Sequence, residues 1–255
     1  MALALIIFLI LICGIFLVAY VIFVKRKNRK LIQQVTPITR GERSERKLIL
    51  ELLKQDINPK AIFHDLYLKK PNGEYTQIDV VAATKSGIIV FEVKEYGGWI
   101  YGDEHQKYWT QSIAHGNQKN RFYNPVMQNE GHIHAIRQCL PQNPGIPIYS
   151  IIVFFGNNQF RNITCNANKT YIIHPDSVSR VMQDILRQSD AGYGNKHEIM
   201  NLFTEGVRNG DDPVIVASQI NTAQYYGRNK PQSTNKLSYA SLFSIRKFPL
   251  NWKFW

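Results

Sequence analysis

The stretch Gln77-Ile78-Asp79-Val80-Val81-Ala82-Ala83-Thr84-Lys85-Ser86-Gly87-Ile88-Ile89-Val90-Phe91-Glu92-Val93-Lys94 decides how the chain is read. Its two flanking runs are β-branched and apolar, the composition of strands, and Thr84 to Gly87 carry turn chemistry. Together they predict a hairpin, whose turn sets which residues face each other. With Thr84 to Gly87 as a four-residue loop, Ala83 pairs with Ile88, Val81 with Val90, Asp79 with Glu92 and Gln77 with Lys94. Two carboxylates then lie opposite on one face, with Cβ atoms roughly 4.5–5.5 Å apart, where like charges repel. A hard divalent cation relieves that repulsion, since Mg²⁺ commonly takes one or two carboxylates plus water and substrate phosphate. Lys94 is two residues beyond Glu92, so the strand period puts its ammonium on the same face. Such a set suits phosphodiester hydrolysis: the carboxylates hold the metal, and the lysine positions the nucleophile or stabilises developing negative charge. The same three residues at the solvated end of an amphipathic strand would be a surface salt-bridge cluster, so the hairpin alone leaves both readings open.

Before the hairpin, Leu48, Leu52 and Leu53 recur at helical spacing after Thr39-Arg40-Gly41-Glu42, and Asn58-Pro59 ends the run. Ile62 to Lys69 reads as a strand, closed by the turn Lys70-Pro71-Asn72-Gly73. After the hairpin, Gly97-Gly98 punctuates the chain before Trp99-Ile100-Tyr101, and Asn124-Pro125 has the form of an N-cap with proline at the first helical position, opening a helix to about Leu140. Ile148 to Phe155 is nearly all apolar, as in a strand covered on both faces by helices. A short strand at Tyr171-Ile172-Ile173 and helices over 178–186 and 197–207 complete an α/β domain with one central mixed sheet. Gln224 to Asn235 reads as a polar linker to a basic, aromatic tail ending in Trp252-Lys253-Phe254-Trp255.

From Ala2 to Val24 no charge interrupts an apolar run long enough to cross the roughly 30 Å hydrocarbon core. Met1 leads straight into apolar residues and no small-residue cleavage site follows, which favours a retained anchor over a signal peptide. Lys25-Arg26-Lys27-Asn28-Arg29-Lys30 follows at once, and such a cluster stays on the cytoplasmic side. The expected organisation is a transmembrane helix over 1–24, a basic juxtamembrane linker over 25–36, an α/β domain over 37–210 and the linker and tail over 211–255. The N-terminus then lies outside the inner membrane, with the domain in the cytoplasm. Only Cys139 and Cys165 fall outside the span, without metal-ligand spacing, which suits a reducing compartment.

The formal net charge of +12 is unevenly spread. Residues 25–47 carry nine Lys and Arg against two acids and residues 206–255 seven against two, while residues 48–205 balance at fifteen each. The basic flanks suit anionic lipid as well as phosphate, and the neutral middle offers no obvious phosphate track. His132 and His134, two apart, fall on different helix faces and cannot pair as ligands, so both are taken as ordinary helical residues. Trp99, Tyr101, Tyr108 and Trp109 are read as core aromatics rather than a base-stacking surface.

The order and spacing of Gly41-Glu42, Gln77-Ile78-Asp79, Gly87 to Lys94, Gly98-Trp99-Ile100-Tyr101-Gly102-Asp103, Trp109 and Asn124-Pro125-Val126-Met127-Gln128 resemble the nuclease-related domain, NERD, over roughly residues 37 to 155. That family is assigned to the PD-(D/E)XK nuclease-like superfamily, whose helix-flanked, restriction-endonuclease-like sheet carries an acid, an acid-x-lysine and often a helical glutamate. Carried over residue by residue, the resemblance implies Asp79, Glu92 and Lys94 as the catalytic core, with Asp79 and Glu92 on the metal, Glu42 as the first-helix acid and Gln128 as the polar residue of the following helix. Ile78 stands where the superfamily's name has proline, and His132 stands where related nucleases often place an aromatic, four residues after the helical glutamine. The implied function is Mg²⁺- or Mn²⁺-dependent hydrolysis of nucleic acid, DNA before RNA, by a domain anchored through residues 2–24. The alternative is a membrane-tethered module that binds nucleic acid or scaffolds without cleaving.

Overall fold

A computed structural model describes residues 2–113, 116 and 118–219, with side chains from Ile6 onward. The polar linker and aromatic tail expected beyond residue 220 lie outside the described residues. The chain opens with helix α1, Ala2–Ile32. Apart from Ile12, its large apolar side chains from Ile6 to Phe23 are 40–71% exposed, and with a mean hydropathy of 3.2 over its most apolar window it is long and apolar enough to cross a membrane. Lys25 to Lys30 continue the same helix, because lysine and arginine are good helix formers and no glycine or proline intervenes before Pro37.

Helix α2, Arg43–Lys54, buries Glu45, Leu48, Ile49 and Leu52, one stripe at helical spacing. Strands β1 (Ile62–Lys69), β2 (Tyr75–Thr84) and β3 (Gly87–Glu95) form an antiparallel meander. Strand β7, Ile148–Phe155, runs parallel to β3, and β9, Thr170–Ile173, parallel to β7, which gives the five-stranded order β1-β2-β3-β7-β9. All eight residues of β7 are buried, as its uninterrupted apolar run implied. Helices α2 and α4 (Val178–Leu186) cover one face through Leu48, Leu52, Val181 and Met182. The other face packs against α3 (Pro125–Cys139) and α5 (Lys196–Asn209) through Ala135, Ile136, Ile199 and Phe203.

A second sheet, with no counterpart in the sequence reading, has the order β6-β5-β4-β8. It comprises β4 (Gly98–Asp103), β5 (Tyr108–Ile113), β6 (Gln118–Tyr123) and β8 (Asn158–Thr164). Parallel strands β3 and β7 continue, through Tyr96-Gly97 and Gly156-Asn157, into parallel strands β4 and β8, so two neighbouring strands pass together from one sheet into the other. Asn158 joins the crossing points by donating to the carbonyls of Tyr96, Phe155 and Gly156. Gly156 has φ +90°, and a Cβ there would run into the Tyr96 backbone, so both its conformation and the close approach require glycine. Beneath the second sheet Trp109, fully buried, stacks on Phe154 with centroids 6.2 Å apart and planes 4° from parallel.

The hairpin turn is tighter than the four-residue loop expected. Thr84 pairs with Gly87, leaving Lys85 and Ser86 as the turn, while Ala83↔Ile88 and Val81↔Val90 pair as the sequence implied. The ladder then ends at Val80↔Phe91, short of Asp79 and Glu92. The cause is a slip in face alternation. Phe63 and Leu66 of β1 share one core, as do Val81 and Ile78 of β2, so each strand loses one residue of alternation between them. Asp65, at φ +51°, is the irregular residue on β1, and the β1–β2 pairing skips it and Asp79 between His64↔Val80 and Leu66↔Ile78. Gln77 accordingly turns to β1 and donates to Asp65 Oδ1 at 2.9 Å instead of facing Lys94.

Candidate active site

At the slip, β2 peels away from β3, and an Asp79 carboxylate oxygen accepts from the Val93 N–H at 2.8 Å. The side chain of Asp79 thereby satisfies a strand donor that the Ile78 carbonyl would have met had the ladder continued. Burial, then the charges of Glu92 and Glu45, hold Asp79 well above the usual carboxylate range, against the opposing pull of Lys94 and the Val93 N–H. At Asp79 burial and the two neighbouring acids thus outweigh the positive groups that oppose them.

Glu92, 1% exposed, is the opposite case. Burial works against its charge, but the Lys94 ammonium and the adjacent His132 outweigh burial and hold it below the usual range. Lys94 Nζ lies 2.6 Å from Glu92 Oε1 and donates to Gln128 Oε1 at 3.0 Å. Burial also opposes the lysine charge, and the Glu92 carboxylate more than offsets it, which keeps Lys94 protonated above the usual lysine range. The second oxygen, Glu92 Oε2, is buried and pairs with His132 Nε2 at 3.4 Å, without the geometry of a hydrogen bond.

Helix α3 brings two side chains to this point. Asn124 caps it, accepting from the N–H groups of Val126 and Met127 while its amide donates to the carbonyls of Asp103, Glu104 and Gln106. One residue therefore fixes the helix start against the second sheet. Asn129 docks the next turn on the central sheet through Val90 O and Ser150 Oγ. Gln128 and His132, four residues apart and so on one face, then reach Lys94 and Glu92, and Thr76 Oγ1 holds His132 Nδ1 at 2.9 Å. Read only against His134, His132 looks ordinary; its spacing from Gln128 is the signal that places it here.

Of the five residues marked by sequence, Asp79, Glu92, Lys94 and Gln128 come together. Glu42 is the exposed N-cap of α2, with its side chain bonded into a capping box. The buried α2 acid is Glu45, whose charge acts on Asp79 and whose Oε2 accepts from the Glu42 N–H at 2.8 Å and meets His64 Nε2 at 2.9 Å. Sequence reasoning missed it, although 45, 48, 49 and 52 form one helical stripe.

Among the described residues no three His, Cys, Asp or Glu side chains form a ready-made metal cage. The chemistry of the donors nonetheless fits a hard divalent cation, which needs only one or two carboxylates when water and phosphate supply the remaining oxygens. Burial and two neighbouring acids outweigh Lys94 at Asp79, and Glu92 Oε2 is a buried acceptor that meets His132 Nε2 only at 3.4 Å.

Comparison with known proteins bears on the same residues. An uncharacterized protein of Bacillus anthracis is 28% identical over 155 residues, which cover 60% of this chain and 70% of that protein. No solved structure matches the chain. The family model of the nuclease-related domain matches residues 40–155, a span that contains Glu45, Asp79, Glu92, Lys94, Gln128 and His132. Residues 40–155 are thus a nuclease-related domain, NERD, a family of the PD-(D/E)XK nuclease-like superfamily.

Proposed function

We propose that the chain is a membrane-anchored, divalent-metal-dependent nuclease that hydrolyses phosphodiester bonds of nucleic acid. The observation that carries this reading is the split between two neighbouring acids: Asp79 is held well above and Glu92 below the usual carboxylate range, within reach of one buried ammonium. Titratable neighbours driven apart in this way mark catalytic sites more often than structural ones.

Asp79 and Glu92 would hold Mg²⁺ or Mn²⁺, which when bound supplies an activated water and neutralises charge on the phosphoryl group. Lys94 keeps its proton because of Glu92 and so presents a positive N–H donor to the oxygens that gain negative charge. Gln128, fixed by the Asn124 cap, holds the lysine from the other side. Glu45 is the α2 acid that faces Asp79, and Glu42 supports it through its backbone N–H. With the full-length chain in lipid nanodiscs, cleavage of labelled DNA and RNA should appear with Mg²⁺ or Mn²⁺ and vanish with EDTA. Equal cleavage in EDTA would remove the metal from this reading, and none under any divalent ion would point instead to a binding or scaffolding module.

The anchor is α1, with Lys25 to Lys30 on the cytoplasmic side of an inner membrane and the domain there with them. The chain should stay with the membrane pellet through an alkaline carbonate wash. Release into the supernatant would overturn the anchor.

A further inference from the structure

One face of the second sheet carries the buried side chains Ile100, Trp109 and Phe122, the last two packed ring on ring. The opposite face carries Trp99 and Tyr101 of β4, Tyr108 of β5 and Tyr123 of β6. Register sets Tyr108 beside Tyr123, with ring centroids 6.3 Å apart and edge-on. Among the described residues beyond the α1 helix, Tyr123 and Val214 are the large hydrophobic side chains that stand exposed, Tyr123 at 41%.

Cations lie over these rings. Between Ile100 and Tyr101 the β4/β8 register shifts, from Phe160 to Asn162, leaving Arg161 as a bulge residue. A bulge re-aims its side chain, and the Arg161 guanidinium lies 4.6 Å from the Trp99 ring centroid. Arg121 and Lys107 lie 5.3 and 5.6 Å from the Tyr108 ring. Lys119, two residues from Arg121 on β6, shares its face. The four strands hold three cations and one acid, Asp103, so a charge balance that is neutral along residues 48–205 is not neutral on this face.

We propose that this face is a stacking platform for single-stranded nucleic acid, leading the strand to Asp79, Glu92 and Lys94; the inference rests on the phosphodiesterase reading and names its substrate as single-stranded. Layered rings and guanidinium groups offer a π-surface to a base and a cation to its phosphate in the same place. A duplex keeps its base faces stacked on one another and cannot use such rings. A bilayer would be met by projecting apolar side chains, whereas here cations lie across the rings and Thr110 and Ser112 separate them. The platform is also joined to the site by chain: Trp99 is five residues past Lys94, at most about 18 Å along an extended strand.

The test is fluorescence anisotropy of labelled oligonucleotides about 20 nucleotides long, with the full-length chain in phosphatidylcholine nanodiscs and EDTA present to prevent cleavage. The parent should bind single-stranded DNA or RNA at least tenfold more tightly than a blunt duplex. Tyr123→Ala, Arg121→Ala and Arg161→Ala should each weaken single-strand binding about five- to twentyfold, with the melting temperature unchanged. Each arginine variant should also reduce the slope of log affinity against log salt by about 0.7, while Tyr123→Ala leaves it unchanged. Unaltered binding in all three variants, a preference for duplex, or loss of binding to anionic vesicles alone would overturn the platform. The two readings fail separately: single-strand binding without Mg²⁺-dependent cleavage sinks the nuclease and spares the platform, whereas cleavage indifferent to the three substitutions below saturation does the reverse.

Discussion

Glu92→Gln in the full-length chain should lower Mg²⁺-dependent cleavage by at least about a hundredfold, the scale on which removal of one preorganised electrostatic group acts on such reactions. The substitution keeps the shape of the side chain and an oxygen for Lys94 to bond at Glu92 Oε1's position. It removes the charge that holds Lys94 protonated and the carboxylate proposed for the metal. Since Glu92 is charged at a depressed pKa, its ionised form stabilises the fold, and that contribution is present above the unfolded carboxylate value and lost as pH falls through the lower folded value. Glu92→Gln should therefore cost stability near neutral pH, roughly 1–3 kcal/mol, because a buried ammonium loses its counter-charge. Activity and stability fall together in this variant, measured by single-turnover cleavage and thermal melting. Parent-like cleavage by a folded Glu92→Gln chain would remove Glu92 from the chemistry.

Much of this arrangement was legible in the sequence because it rests on local rules. Val81↔Val90 and Ala83↔Ile88 follow from alternation around a turn, the burial of β7 from an apolar run, and the α3 start from Asn124-Pro125. What escaped depends on distant partners. Straight alternation carries the hairpin pairing on to Asp79 and Glu92, but the ladder stops at Val80↔Phe91 because Asp65, on another strand, adopts φ +51°. The second sheet was unreadable for a related reason: β5 and β6 mix aromatic, amide and basic residues on a face that stays partly open, so they lack the clean period of a half-buried strand. Glu45 and His132 were hidden because an acid or histidine inside a helix looks solvated until the fold shows what its face meets.

Asp79→Asn tests the other half of the split, and its expected signature is opposite in sign. Burial and the charges of Glu92 and Glu45 raise the Asp79 pKa, so the folded protein holds this proton more tightly than the unfolded chain does. The stability that the protonated form gives is fully present below the unfolded value of about 3.9, and it is lost as pH rises through the higher folded value. Above the unfolded value and without metal, an acid at position 79 is thus a cost to the fold. The asparagine amide would keep an oxygen for the Val93 N–H and carry no charge, so Asp79→Asn should raise stability by on the order of 1 kcal/mol, a gain of roughly 2–4 °C in Tm for a chain of this size. The gap from the parent should narrow as pH is lowered toward about 4, where the parent carboxylate is itself neutral. It should narrow again when Mg²⁺ is added at neutral pH, because an ion that binds the folded parent stabilises it by mass action and has lost one of its two carboxylates in the variant. Cleavage in Asp79→Asn should meanwhile fall at least about a hundredfold, so stability rises while activity is lost. A variant that melts below the parent at neutral pH without metal, or a gap that ignores both pH and Mg²⁺, would show that Asp79 is an ordinary structural acid.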